Sequence, residues 1–249
     1  MLKNSSSWKD FTMSGHNKWS QIKHKKAAVD AKKGKAFTRI IKEITVAARE
    51  GGGDPDANSK LRSLLDQAKA LNMPQENATR AIKKGTGELP GTVYESHTYE
   101  GYGPGGIAIL VETLTDNKNR TVADVRHAFS KFGGSMAEFG AVNWMFEQLG
   151  SIKSTGQATE DYLLENLIEF DIRDISKEDG TFFITCAPKE LEAVKKATES
   201  LGLQISEAKL DWIAKNPMQL NEESEQKAVQ LLTVLEDLDD TQDVFTNLG

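Results

Sequence analysis

The chain has 249 residues, of which 38% are apolar and 27% are charged, an ordinary composition for a folded globular protein. It contains one cysteine, Cys186, so neither an internal disulfide nor a cysteine metal site can form. No run approaches the roughly 20 apolar residues of a membrane-spanning helix, and residues 1–12 lack the apolar stretch of a signal peptide. These features predict a cytoplasmic protein that does not associate with a membrane.

Charge is distributed unevenly along the chain. Residues 1–88 contain 18 Lys and Arg against 9 Asp and Glu, a net charge of +9, whereas residues 89–249 carry −15. An asymmetry of this size indicates an anionic partner for the first part of the chain. The acidic remainder disfavours nonspecific adhesion of the whole molecule to polyanions.

The first 88 residues predict a polar leader followed by a helical domain. Residues 1–12 show no apolar periodicity, and we expect them to be disordered. Apolar residues recur at helical spacing over residues 18–50. A break or a bend is expected at Gly34, because glycine is about 1 kcal/mol less favourable than alanine inside a helix. Two shorter helices are predicted, one over residues 58–71 and one from Pro74 to a C-terminal cap at Gly85.

The pattern changes to alternating strands and helices after a linker over residues 85–91. Strands are predicted over residues 93–99, 107–113, 141–146, 150–154, 203–210 and 244–247, with a hairpin over 171–187. Helices are predicted over residues 122–132, 160–170, 188–200 and 222–238. This order predicts an α+β fold with antiparallel sheets in one or two small domains.

The strongest local signal is a basic segment over residues 14–42, which contains nine Lys and Arg and a single acid, Asp30. Such a cluster attracts phosphate backbones by Coulomb forces and by the release of counterions. The basic residues at 32, 35, 39 and 42 are spaced so that they share one helical face, opposite an apolar stripe. The candidate nucleic-acid-binding residues are His16, Lys18, Trp19, Lys23, His24, Lys25, Lys26, Lys32, Lys33, Lys35, Arg39 and Lys42.

Each of these assignments has a structural alternative. Lysines also solvate exposed helices, although the near absence of acids in this segment favours contact with nucleic acid. Trp19 either stacks on an unpaired base or, as we favour, packs in the core. The acidic end from Glu222 to Asp243 either solvates a helix face, which we favour, or forms a partner-binding or self-masking surface that competes with phosphate for the basic segment.

The sequence offers no catalytic constellation and predicts a protein that is not an enzyme. The run Gly101–Gly106 matches the glycine pattern of a dinucleotide site, but a strand follows where that site needs a helix, so no cofactor is expected. The four histidines form no short ligand pair, so no metal is expected. Cys186 lies in an apolar strand, which favours the role of a small core residue.

Several ordered motifs resemble the YebC/PmpR family, and the resemblance covers about residues 13–249. The opening motif runs from Met13 to Lys26, with Asn17 where a serine is more typical. The other motifs lie at residues 37–49, 72–74, 99–106 and 115–121.

The resemblance implies an N-terminal helical bundle followed by two small α+β domains, one inserted in the other. The chain then divides into a leader (1–12), a basic helical domain (13–88), an α+β domain (89–138 and 210–249) and an inserted α+β domain (139–209). The resemblance also implies a cytoplasmic, non-catalytic protein without cofactors.

The resemblance leaves two functions open. One is a DNA-binding regulator of transcription, and the alternative is a translational activator that binds ribosomal or messenger RNA. The sequence has no recognisable helix-turn-helix signature and no dimer zipper, which weakens the case for a reader of one specific operator. A protein partner for the acidic α+β body is a further expectation.

Overall fold

The computed structural model describes Trp19 and residues 31–249, and the elements below are labelled in chain order from residue 31. Seven α-helices lie in residues 31–249: α1 (Ala31–Gly51), α2 (Ser59–Ala70), α3 (Gln75–Thr86), α4 (Lys118–Lys131), α5 (Glu160–Asn166), α6 (Leu191–Ser200) and α7 (Glu222–Glu236). Eight strands accompany them: β1 (Glu95–Tyr102), β2 (Ala108–Thr115), β3 (Ser135–Ala137), β4 (Phe146–Thr155), β5 (Ile172–Glu178), β6 (Thr181–Cys186), β7 (Gln204–Ala214) and β8 (Thr241–Thr246). The strands form two four-stranded antiparallel sheets, which confirms the predicted α+β class.

The described residues form two compact units. The main unit comprises residues 31–143 and 220–246, and the insert unit comprises residues 144–219 and 247–249 together with Trp19. Strand β7 pairs with β4 as far as Ala214, so residues 210–214 belong to the second sheet and not, as predicted, to the first α+β domain.

In the helical part of the main unit, α1 packs against α2 and α3. Ile40, Ile44 and Ala47 of α1 share an apolar core with Leu61 and Leu64 of α2 and with the small residues of α3. The turn before α2 is tied to α1, because the Asn58 side chain accepts the N–H of Leu61 and donates to the carbonyl of Ala47. The two short helices predicted from periodicity are therefore confirmed.

Two glycines in this helical part differ from the sequence prediction. Helix α1 passes through Gly34 without ending, so a break there is excluded. Gly85 lies inside α3, which ends at Thr86 and is capped instead by Gly87, a residue with a φ of 85°. A Cβ at Gly85 would lie 2.4 Å from the carbonyl oxygen of Thr45, so glycine is required there by the close approach of α1 and not by a helix cap.

The first sheet has the strand order β3-β1-β2-β8, and its centre is β2, which is buried along almost its whole length. The glycine run between β1 and β2 forms a tight connection with positive φ at Gly105 and Gly106. A Cβ at Gly101 would lie 2.6 Å from the ring of Phe129 in α4. The glycines therefore serve the turn and the packing of α4.

A buried carboxylate explains why the predicted strand over residues 141–146 is absent. Glu100 of β1 is 2% exposed and accepts the backbone N–H groups of Gly140, Val142 and Asn143 at 2.7, 2.7 and 2.9 Å. These amides are consequently not free to pair with a neighbouring strand. The segment forms a loop with a short 3₁₀ turn at residues 143–145, and β4 begins at Phe146.

The insert unit contains the second sheet, with the strand order β5-β6-β4-β7. The predicted hairpin is confirmed as β5 and β6, joined through Asp179 and Gly180, which both have positive φ. Cys186 is fully buried in the core beside Ile152 and Val194, as predicted. Over the residues that the structure describes, no helix combines the length and the apolar character that crossing a membrane requires.

Candidate nucleic-acid interface

The structure describes only part of the predicted basic segment. Six candidate residues lie outside the described residues: His16, Lys18, Lys23, His24, Lys25 and Lys26. Lys32 and Lys33 lie in the first turn of α1, but their side chains are outside what the structure describes. Trp19 is 2% exposed, which agrees with core packing and leaves its ring unable to stack on a base in this conformation.

The three remaining candidates lie on one face of α1, and this face meets the acidic C-terminal end of α7. Lys35 lies 3.8 Å from the carboxylate of Asp237. Arg39 forms an ion pair with the carboxylate of Glu236 at 3.3 Å and also donates to the carbonyl of Glu236. The spacing therefore predicted the shared face of Lys35, Arg39 and Lys42 correctly, but the face is turned towards carboxylates of the same chain.

Lys42 is the most enclosed of the three and is 8% exposed. Its ammonium donates to the carboxylate of Asp240 at 2.9 Å and to the carbonyl oxygens of Asp239 and Leu114 at 3.1 and 3.3 Å. All three of its N–H donors are thus used inside the main unit. Lys42 is therefore a structural cation, which corrects its assignment to phosphate binding.

Asp240 is the centre of the polar cluster that receives Lys42. Its second carboxylate oxygen accepts hydrogen bonds from the guanidinium of Arg120 at 2.6 Å and from the hydroxyls of Thr121 and Thr115 at 2.8 and 3.1 Å. Burial by itself would raise the pKa of Asp240, but the hydrogen bonds from Arg120, Lys42 and Thr121 outweigh it and hold the pKa at about 2. The cluster joins α1 to the first sheet through a carboxylate that is ionised at neutral pH.

Lys35, at the solvent edge of the same face, remains half-buried. Burial and the neighbouring charge of Arg39 lower the pKa of Lys35, whereas the carboxylates of Asp237, Asp239 and Glu236 act in the opposite direction. Its contact with Asp237 is long, and the Asp237 side chain is 66% exposed. This outer pair is therefore the weakest of the three contacts.

The two ends of α7 play different parts. Glu222, Glu223 and Glu225 in its first turn are exposed or half-exposed, in line with the favoured interpretation of the acidic end as a solvated surface. Glu236 and Asp240 instead cover cations of α1, so for this end the self-masking alternative fits the geometry better. Sequence reasoning missed Arg120 and Asp240 as partners, because no local pattern links residues that lie 120 positions apart.

Two family models together match most of the chain. The model described as "TACO1/YebC protein N-terminal domain" matches residues 17–88, and the model described as "TACO1/YebC second and third domain" matches residues 94–248. The chain belongs to the TACO1/YebC family. The gap between the two matches falls in the linker after α3, so the TACO1/YebC N-terminal domain corresponds to the basic helical part.

Curated relatives of this TACO1/YebC protein match it over nearly their whole length. A protein of Desulfosudis oleivorans is 50% identical over 94% of this chain and 96% of its own. Proteins of Desulfatibacillum aliphaticivorans and Prosthecochloris aestuarii are each 51% identical, over 94% and 95% of this chain and 96% and 95% of their own. All three carry the name "Probable transcriptional regulatory protein".

A solved structure has the same fold. The crystal structure of the "Conserved Hypothetical Protein Aq1575 from Aquifex Aeolicus" superposes with a TM-score of 0.85 at 46% sequence identity. The match covers 93% of this chain and 96% of the Aquifex chain. The TACO1/YebC fold is therefore shared between the two over almost their full length.

Proposed function

We propose that this TACO1/YebC protein is a non-enzymatic, cytoplasmic regulator of gene expression that binds nucleic acid through its N-terminal basic domain. DNA is the proposed target, and transcription is the proposed process. Two observations support this function: the names of relatives about half identical to this chain, and the concentration of positive charge in residues 14–42.

The main support for the proposal is the positive charge of the basic segment that carboxylates of the chain do not neutralise. Carboxylates of the main unit engage Lys35, Arg39 and Lys42, so these three do not contribute a full charge to an outside ligand. Residues 14–33 still hold six lysines against one acid, Asp30, for a net charge of +5. Neutralising about five phosphates of duplex DNA would give a slope near −4.5 for log affinity against log salt.

Structured RNA is the second candidate target, and one observation favours it. Every cation in residues 14–33 other than histidine is a lysine, and none is an arginine. Lysine acts as a point charge towards phosphate, whereas arginine supplies the commonest base-specific contact in the major groove of DNA. A surface of lysines fits recognition of the backbone and its shape, which suits folded RNA as well as duplex DNA.

The full chain can be tested with a fourfold variant in which Lys25, Lys26, Lys32 and Lys33 are changed to Ala. A matched control removes four lysines elsewhere: Lys131, Lys189, Lys195 and Lys196. Fluorescence anisotropy would compare a duplex DNA with an RNA hairpin of the same phosphate count at several salt concentrations. Circular dichroism would show that both variants keep the helical content of the unmodified chain.

The proposed function predicts that the fourfold variant loses about tenfold or more in affinity at low salt, while the control keeps most of it. Tighter binding of the duplex would support the DNA target, and tighter binding of the hairpin would select the RNA candidate. Equal affinities of the variant and the control would move the binding site out of residues 25–33.

A further inference from the structure

We propose that Arg80, Lys83 and Lys84 on α3 form a second contact site for a phosphodiester backbone, separate from the basic segment of residues 14–42. The proposal rests on the proposed function, because it adds a surface for the same class of ligand. This surface lies on α3, which is outside the basic segment.

Internal contacts engage three other cations of the helical part, Arg49, Lys60 and Arg62, whereas Lys69 of α2 is exposed like the three residues of α3. Lys60 lies 3.4 Å from the carboxylate of Glu50. The guanidinium of Arg62 donates to two carbonyl oxygens of the turn before α2, at 3.0 and 3.1 Å. The guanidinium of Arg49 donates to the carbonyl of Thr92 at 3.0 Å.

No comparable contact engages the cations of α3. Arg80, Lys83 and Lys84 are all exposed, and none of their side chains forms a hydrogen bond or an ion pair with any residue in the described part of the chain. Glu76, one turn before Arg80, is not within ion-pair distance, and the carboxylate of Glu88 is hydrogen-bonded to the hydroxyl of Thr86 at 3.2 Å. The three positive charges are therefore uncompensated at close range by described side chains.

Helical spacing places the three charges side by side. Residues three and four positions apart are neighbours on a helix, with about 5–6 Å between their Cβ atoms. The opposite face of α3, with Ala78, Ala81 and Gly85, is buried against the rest of the helical core. Like charges at this spacing destabilise a helix by a few tenths of a kcal/mol, and a bound polyanion would remove that repulsion.

The helix dipole accounts for only part of this cluster. Lys83 and Lys84 lie in the last turn of α3, where a cation is favourable beside the free carbonyl groups. Arg80 lies one turn earlier, outside the range of that effect. The N–H of Leu89 already donates to the carbonyl of Lys83 at 3.0 Å, which further reduces the need for cations at this end.

The backbone that carries the cluster is held firmly on two sides. On one side, a Cβ at Gly85 would lie 2.4 Å from the Thr45 carbonyl of α1, so the two helices are in direct contact. On the other side, Gly91 of the following linker lies against the stem of Lys84. The charges are therefore presented from a fixed scaffold, which lowers the entropy lost when they bind a ligand.

The open geometry indicates an extended anion. The three side chains lie on an exposed helix face, so a small anion bound there would remain hydrated. A nucleic-acid strand instead presents a row of phosphates that can meet all three cations at once. Duplex DNA and folded RNA share this chemistry, and the two are distinguished by testing both.

The test is the triple variant R80A/K83A/K84A in the full chain. Alanine favours helix, so α3 should keep its structure, which circular dichroism and thermal melting would verify. The matched control is K189A/K195A/K196A, which removes the same charge from α6 and the turn before it in the insert unit. Binding of a duplex DNA and of an RNA hairpin would be measured by anisotropy over a range of salt concentrations.

We expect the triple variant to lower affinity by about tenfold at low salt and to make the salt slope shallower by about 2 to 3, since up to three phosphates lose their partners. The control should leave the slope unchanged, and R80K should retain most of the affinity. If the unmodified chain binds but the triple variant matches the control, the α3 site is refuted while the proposed function stands. If the unmodified chain binds neither nucleic acid, both are refuted.

Discussion

The ammonium of Lys42 lies 2.9 Å from the carboxylate of Asp240, although 198 residues separate them in the sequence. Their side chains are 10% and 6% exposed. The pair joins the third turn of α1 to the segment that precedes β8, and so connects the helical part of the main unit to its sheet. A residue expected to face nucleic acid is thereby part of the internal framework.

Replacing Asp240 with Ala should destabilise the main unit by about 3–5 kcal/mol, because the change leaves Lys42 as a buried charge without its partner and removes an acceptor from Arg120. The midpoint of urea unfolding measures the loss. Asp237→Ala is the control, since it removes an exposed carboxylate a few residues away and should change stability by less than about 1 kcal/mol. Equal midpoints for the two variants would show that the buried pair does not stabilise the fold.

Acid should weaken the fold through the same carboxylate. The pKa of Asp240 is about 2 in the folded chain against an ordinary value of 3.8, so the folded state holds this proton less tightly. The stabilisation is therefore present above about pH 4 and is lost as the pH falls towards 2, by roughly 2 kcal/mol in total. Asp240→Asn should flatten this part of the stability profile, and an unchanged profile would contradict the assignment.

Two glycines of the helical part should respond to alanine in opposite directions. Gly34→Ala should stabilise α1 by up to about 1 kcal/mol, because no heavy atom lies within 4 Å of the added Cβ. Gly85→Ala should destabilise by about 1–3 kcal/mol, because its Cβ would overlap the Thr45 carbonyl and the Ala48 side chain. Thermal melting measures both, and a stabilising Gly85→Ala would disprove the close approach of α1 and α3.

The acidic end of α7 should compete with phosphate for α1. The double variant E236Q/D237N frees Lys35 and Arg39, and it should tighten nucleic-acid binding at low salt and steepen the salt slope by up to about 2. The control E222Q/E223Q removes the same charge from the exposed first turn of α7. If both variants tighten binding equally, net charge alone sets the affinity, and the contact of α7 with α1 does not block phosphate binding.

Local patterns in the sequence predicted most of the elements, and close contacts between distant residues decided the rest. Periodicity predicted α2 and α3, and the turn residues Asp179 and Gly180 predicted the β5–β6 hairpin, because each signal depends on neighbours in the chain. Gly85 was misread as a cap because the backbone of α1 against it is 40 residues away. The strand predicted at residues 141–146 is absent because the Glu100 carboxylate accepts hydrogen bonds from backbone amides of that segment.

The candidate site, like the fold, was predictable only where it depends on one continuous segment of the chain. Charge and spacing identified a basic face on α1, since both are properties of a continuous segment. The acids that meet this face come from residues 236–240, and only the fold brings them there. The sequence pattern did not indicate the cations of α3, because that helix also contains Glu76 and is less distinctively basic than residues 14–42.

The salt dependence of nucleic-acid binding by the full chain tests the central claim most directly. Affinity for a duplex DNA and for an RNA hairpin would be measured over a tenfold range of salt. Nucleic-acid binding through residues 14–33 predicts, for the preferred ligand, a slope of about −4 or steeper for log affinity against log salt. A slope near zero, or no binding of either ligand at low salt, would contradict the account.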